Sequence, residues 1–146
     1  IPAERRSHRR RGEADAGGKL ILGQRSFGMT LLANILIGLV ALLHVYFLVL
    51  EMFLWTTPAG RRVFRTTPEF AQASKALAAN QGLYNGFLVA GLVWGLALGA
   101  DGLHIKLFFL GCVIVAGVFG AWTVSRRIFF VQALPAIAAF ALLLFH

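Results

Sequence analysis

Four long apolar segments, joined by polar connections, most constrain what this chain can fold into. Each segment is close to the roughly 20 residues that a helix needs to cross a hydrocarbon core of about 30 Å. Because that core holds no water to satisfy backbone groups, each segment is predicted to be helical. Two connections, GADG and SRR, are so short that consecutive helices are expected to be antiparallel neighbours. The four segments are residues 29–55, 76–99, 103–124 and 128–145.

The composition supports a location in the membrane. Of the 146 residues, 58% are hydrophobic and only 14% are charged, whereas soluble domains are about half apolar and about a quarter charged. The mean hydropathy is +0.75. The sequence therefore predicts an all-α protein: an integral membrane antiparallel four-helix bundle with a short interfacial helix in the first connection.

An N-terminal stretch that has no helical apolar period supplies much of the net charge of +8. Residues 1–28 are predicted to be a basic tail that is disordered or lies outside the native chain, and residues 29–146 to be the four-helix transmembrane domain. No groove-reading element accompanies the positive charge, so a nucleic-acid partner is not expected. The expected partners are membrane lipid, a second copy of the chain or another membrane protein.

The basic residues outside the tail predict an orientation. Arg61, Arg62 and Arg65 lie in the first connection, and Arg126 and Arg127 lie in the third. The positive-inside rule places both connections in the cytoplasm and both termini outside. The arginine-rich tail argues for the opposite orientation if it is native.

Two Thr-Pro pairs in the first connection are typical of helix starts. In each pair the threonine hydroxyl can cap the helix while the proline occupies its first turn; the pairs are Thr57 with Pro58 and Thr67 with Pro68. The second of these helices is predicted to continue without interruption to Leu98.

Several segments resemble a known family. The stretch LEMFLWTTPAGRRVF, followed by TPEFAQASKALAANQGLYNGFLVAGLVWGL, is similar to small bacterial integral membrane proteins described as domain of unknown function 1304. The resemblance covers residues 29–146. It implies four spans and a multi-pass location in the bacterial cytoplasmic (inner) membrane, and it implies no catalytic role for any residue.

Polar residues inside the apolar segments are the candidates for function. Asn34, His44 and Glu51 share one stripe of the first segment, which is predicted to face the bundle interior because charge facing lipid is costly. Antiparallel pairing should bring the patch NQGLYNG of the second segment to the depth of Glu51. The predicted ligand-binding residues are His44, Glu51, Asn80, Gln81, Tyr84, Asn85 and Gln132. Two alternatives stay open: Glu51 extends toward the headgroups, or the amides only join helices.

Closely spaced glycines predict close helix contacts. Gly82 and Gly86 are four residues apart, as are Gly91, Gly95 and Gly99. Such rows let helix backbones approach one another, within the bundle or between two copies. Pro135 is expected to kink the fourth helix.

Known enzyme motifs are absent from the sequence: there is no phosphate-binding loop, nucleotide fingerprint or HExxH zinc signature. No catalytic residue, metal site or cofactor is therefore predicted. The favoured function is binding of a small molecule, lipid or quinone in an intramembrane polar pocket. The alternative is an accessory or scaffold subunit of a membrane complex, and an intramembrane enzyme is less favoured.

Overall fold

The protein is all-α, and the part of the chain that the structure describes contains no strand. A computed structural model describes the backbone of residues 2–145 and the side chains of residues 15, 17–20 and 22–145. The helices are α1 Pro2–Met52, α2 Pro58–Phe64, α3 Pro68–Ala73, α4 Lys75–Ala97, α5 Leu103–Thr123 and α6 Leu134–Leu144, with a π-helical turn at Phe129–Ala133 before α6.

Four helices contact one another in a closed ring. Helix α1 packs against α4 and α6, α4 packs against α5, and α5 packs against α6. Their shared core consists of small and branched apolar side chains that exclude water: Ala33, Ile37, Val40, Ala41, Leu92, Leu110, Val113, Ala136, Ala139 and Leu143. The predicted inward stripe of α1 is confirmed, because His44 is completely buried and Asn34 and Glu51 are partly buried.

Helix α1 also includes the described residues before Met29. Apart from Ser26, the side chains described between residues 15 and 28 are exposed and join no core. The division of the chain at residue 28 into a tail and a transmembrane domain stays a prediction.

Both predicted helix starts in the first connection are confirmed. The hydroxyl of Thr57 accepts a hydrogen bond from the backbone of Gly60, and that of Thr67 accepts one from Phe70. Hydrogen bonds from its own backbone N–H and from Thr67 hold the pKa of Glu69 below its ordinary value.

The predicted continuous helix from Pro68 to Leu98 is wrong, because the chain breaks it at Ser74. There α3 ends and α4 begins, with Ser74 at φ −98° and ψ 5°. The Ser74 hydroxyl donates to the carbonyl of Phe70 over 2.7 Å and accepts from Trp55 Nε1 over 3.0 Å. Side-chain hydrogen bonds of this kind compete with the helical backbone pattern and bend helices.

Pro135 affects the turn that precedes it. Proline lacks an N–H, so the carbonyl four residues earlier has no helical donor. The backbone shifts register before the proline, and Leu134 N–H bonds to Phe129, five residues back rather than four. The result is the π-helical turn Phe129–Ala133, and such turns are frequent at functional sites.

Glycine lets α4 lie directly against α1. A Cβ on Gly82 would lie 2.6 Å from Met52 Cγ, closer than real carbon atoms approach, and 3.1 Å from the Met52 backbone nitrogen, a tight contact. Only hydrogen fits at this position, so the prediction of close packing at Gly82 is confirmed. The contact sets α4 at the level of Glu51.

Two helical segments are long and apolar enough to cross a membrane, Gly17–Met52 and Leu103–Thr123, while the apolar helical stretch Phe129–Leu144 is shorter. Helix α4 has sufficient length, at 23 residues, but its polar patch makes it less apolar. Large apolar side chains cover the outer surface; Trp122 is 84% exposed and Phe108 is 65% exposed. Apolar surface of this extent indicates contact with a membrane or with other proteins.

Candidate functional site

A cavity of about 440 Å³ lies among α1, α2, α4, α5 and the π-helical turn. One part of its wall is polar and the rest is apolar, as is usual for sites that bind small organic molecules. The polar side chains are Glu51, Gln81, Tyr84, Asn85 and Gln132. The apolar positions are Phe47, Val63, Phe64, Leu88, Ala116, Gly120, Val124 and Ile128.

Glu51 is held in this cavity by a hydrogen bond from the neighbouring helix. Asn85 Nδ2 donates to Glu51 Oε2 over 2.7 Å, and it also donates to the backbone carbonyl of Gln81 over 3.3 Å. Asn85 is only 8% exposed, so its amide is fixed in place. Glu51 Oε1 has no recorded protein donor among the described residues, which leaves acceptor capacity for a bound molecule.

The helical repeat explains why the polar residues of α4 meet. Gln81, Tyr84, Asn85 and Leu88 recur at spacings of three and four, and such positions share one face of a helix. Gln132 reaches the same cavity from the π-helical turn. The structure therefore brings together five of the seven residues that were predicted to bind a ligand.

The other two predicted residues lie elsewhere. Asn80 is exposed and does not line the cavity. Its position is rotated by about 90° around the helix axis from the centre of the shared face. His44 is buried about 10 Å deeper along α1 than Glu51, and Phe47 lies between them. The Nδ1–H of His44 donates to the carbonyl of Val40 over 2.7 Å, and Nε2 has no partner among the described residues.

Comparison with known proteins addresses the family. A family described as "Protein of unknown function (DUF1304)" matches residues 38–144. The chain belongs to this family. The family membership that the sequence resemblance predicted is thus confirmed. The matched range includes every residue that lines the cavity.

One curated relative resembles the chain over most of its own length. The uncharacterized protein YpaA of Lactococcus lactis subsp. lactis (strain IL1403) is 34% identical over 113 residues, which cover 76% of this chain and 95% of that protein. No solved structure matches the chain.

The apolar residues that line the cavity were not predicted from the sequence. Val63 and Phe64 come from α2, and Ala116, Gly120 and Val124 come from α5. Apolar residues are common throughout this chain, so nothing in the sequence distinguished these from residues that face outward. The positions of α2 and α5 relative to α4 determine which apolar residues line the cavity.

A second cavity of about 330 Å³ lies on the other side of Glu51. Glu51 and Gln81 contribute to both cavities, while Trp55, Phe70 and Ser74 line only the smaller one. The carboxylate therefore lies at a partition between the interior of the helix ring and the side where α3 packs.

The chemistry available in the larger cavity is hydrogen bonding by a carboxylate, amides and a phenol. Among the side chains of residues 15, 17–20 and 22–145, no group of three or more His, Cys, Asp and Glu is arranged to hold a metal ion. The apolar part of the lining offers contact area for the apolar body of a bound molecule.

Proposed function

We propose that this chain is a multi-pass protein of the bacterial cytoplasmic membrane whose helix ring binds a small molecule, a lipid or a quinone in the cavity at Glu51. The single observation that carries the proposal is the hydrogen bond between Asn85 and Glu51 inside a largely apolar cavity. Polar groups within a membrane protein are costly and commonly mark a ligand or substrate pathway.

Four spans account best for the surface of the protein. Helix α4 directs Asn85 toward the ring interior, while Phe87 and Trp94 are more than half exposed. The stretch from Phe129 through α6 carries Phe130 and Leu144 outward in the same way. Each helix thus presents apolar side chains to lipid, and both connections rich in arginine lie on the cytoplasmic side.

Cysteine labelling tests the four-span arrangement. In a Cys112→Ser background, which removes the single native cysteine, we expect Arg62→Cys and Asp101→Cys to react from opposite sides of the membrane. Both side chains are exposed, so the substitutions should be tolerated. Labelling of both positions from the same side contradicts four spans.

The ligand should contain a hydrogen-bonding group as well as an apolar body. Glu51 Oε1 and the side chains of Gln81 and Gln132 provide polar contacts, whereas Phe47, Phe64 and Leu88 provide apolar ones. A quinone, a hydroxylated lipid or another small amphiphile of this kind meets both requirements.

Glu51→Gln tests this binding. It keeps the shape of the side chain but removes the carboxylate, so we expect the folded protein to retain less of the molecule that copurifies with it. Native mass spectrometry of the protein released from mild detergent measures the retained mass. Glu69→Gln is the matched control, because Glu69 is exposed and does not line the cavity. Equal retention by the wild type and both variants would contradict a role for Glu51.

Three glycines of the helix ring serve its internal packing rather than a scaffold role. A Cβ at Gly82, Gly95 or Gly117 would collide with side chains or backbone of the same chain. These positions are therefore used in packing the helix ring. They do not supply a free glycine surface for another subunit.

A further inference from the structure

A third cavity, of about 450 Å³, lies at the opposite end of the helix ring from Glu51. It is enclosed by α1, the connection between α4 and α5, the first turn of α5, and α6. Its polar lining comes from Ser26, Thr30, Asn34 and Lys106, together with the backbone at Gly99. It shares no residue with the Glu51 cavity.

Lys106 brings a buried positive charge to this cavity. The residue is only 3% exposed, and within the described part of the chain no carboxylate lies within ion-pair distance of it. Its Nζ donates to the carbonyl of Gly99 over 2.8 Å and to Asn34 Oδ1 over 3.4 Å. Both acceptors are neutral, so neither balances the charge, and a buried charge without a counterion is costly.

The other polar groups of the cavity are also suited to an anion. Lys106 has three protons, and the two recorded hydrogen bonds leave one for a further acceptor. Asn34 presents its oxygen to Lys106, which leaves the two protons of its Nδ2 available. The hydroxyl of Ser26 can add another donor. A positive charge surrounded by unused donors is complementary to an anionic oxygen group.

A purely structural role explains only part of this arrangement. Gly99 follows the end of α4 with a φ of +59°, outside the helical hydrogen-bond pattern, and the contact with Lys106 satisfies its carbonyl. A neutral donor would serve that carbonyl equally well. The structural role therefore does not account for the full charge or for the cavity beside it.

We propose that this cavity binds an anionic phosphate group, with Lys106 as its countercharge. The anion neutralises Lys106 and accepts hydrogen bonds from Asn34 Nδ2 and Ser26. It is supplied by a lipid headgroup or by a free anion in solution. This site is independent of the proposed ligand at Glu51.

Asn34→Asp is the most discriminating variant. It changes one terminal group, keeps an oxygen for Lys106 and places a carboxylate beside the ammonium, where the positive charge favours its ionised form. We expect the variant to stay folded but to bind the anion at least about tenfold more weakly. The introduced carboxylate repels the bound anion, which has the same sign of charge. Lys106→Met should lose binding as well, and Lys75→Met, at an exposed lysine outside the cavity, should bind like the wild type.

The full chain in a non-ionic detergent is titrated with dihexanoyl phosphatidylglycerol, with neutral dihexanoylglycerol and with inorganic phosphate, and its unfolding temperature is recorded. An increase with phosphatidylglycerol alone, lost in Asn34→Asp, supports a lipid headgroup. An equal increase with inorganic phosphate, lost in the same variant, supports a free anion. No increase with either anion, or the same increase in the wild type and Asn34→Asp, overturns the proposal. Because neither result depends on Glu51, the test is separate from that of the other cavity.

Discussion

Gly117→Ala is expected to lower the free energy of unfolding by about 1–3 kcal/mol, because the added methyl group overpacks the contact between α5 and the π-helical turn. A Cβ at Gly117 would lie 2.9 Å from both the backbone nitrogen and the Cβ of Ala133. Ala133 is completely buried, so neither side can move aside easily. Displacement of the turn should also move Gln132 away from the Glu51 cavity.

Gly111→Ala is the matched control in the same helix. A Cβ at Gly111 would have no neighbour within 4 Å, and alanine favours helix more than glycine does. Its stability should be unchanged or slightly higher. Unfolding in mixed micelles with an increasing fraction of denaturing detergent measures both variants. Equal stability of the two contradicts the contact between α5 and the turn.

Asn85→Leu is expected to destabilise the protein by about 1–3 kcal/mol or more, because it leaves the Glu51 carboxylate in the cavity without its amide donor. The bond that is removed is the one from Asn85 Nδ2, at 2.7 Å. The variant should also lose the molecule bound at Glu51, since the carboxylate no longer has a fixed position.

Asn80→Leu makes the same chemical change on the same helix at an exposed position outside the cavity. Its stability should stay close to that of the wild type, since surface substitutions are usually within about 0.5 kcal/mol. The same unfolding experiment compares the two leucine variants. A greater loss of stability in Asn80→Leu than in Asn85→Leu contradicts the assignment of helix faces.

Much of the helix ring could be predicted because it follows from periodic patterns. The spacing of Asn34, His44 and Glu51 predicted the inner face of α1, and the spacing of Gln81 and Asn85 predicted that both would face the same side of α4. Short connections implied antiparallel neighbours. The shared depth of Glu51 and Asn85 followed from the expectation that α1 and α4 are antiparallel neighbours as well, although a longer connection joins them.

Local departures from regular helix could not be predicted in the same way. The break at Ser74 depends on a hydrogen bond from Trp55, 19 residues earlier, and the π-helical turn depends on how the chain adjusts to Pro135. Both depend on tertiary contacts that no sequence period reveals.

The burial of Lys106 was also missed. Its place near a short connection suggested an ordinary charge at a membrane surface. The structure buries it because its stem covers Gly95, where a Cβ would lie 2.7 Å from Lys106 Cγ. The feature that allows the burial is Gly95 on α4. That Lys106 packs on it could be identified only from the packing of α4 on α5.

A double-mutant cycle between Glu51 and Asn85, with stability measured in lipid nanodiscs, tests the central claim most directly. The variants are Glu51→Leu, which leaves no acceptor for Asn85, Asn85→Leu and the two combined. If the carboxylate lies in the cavity and bonds to Asn85, the two substitutions should be coupled by about 0.5–3 kcal/mol. If Glu51 extends to the headgroup layer instead, the effects should add to within about 0.3–0.5 kcal/mol, and that result would contradict the polar cavity at Glu51.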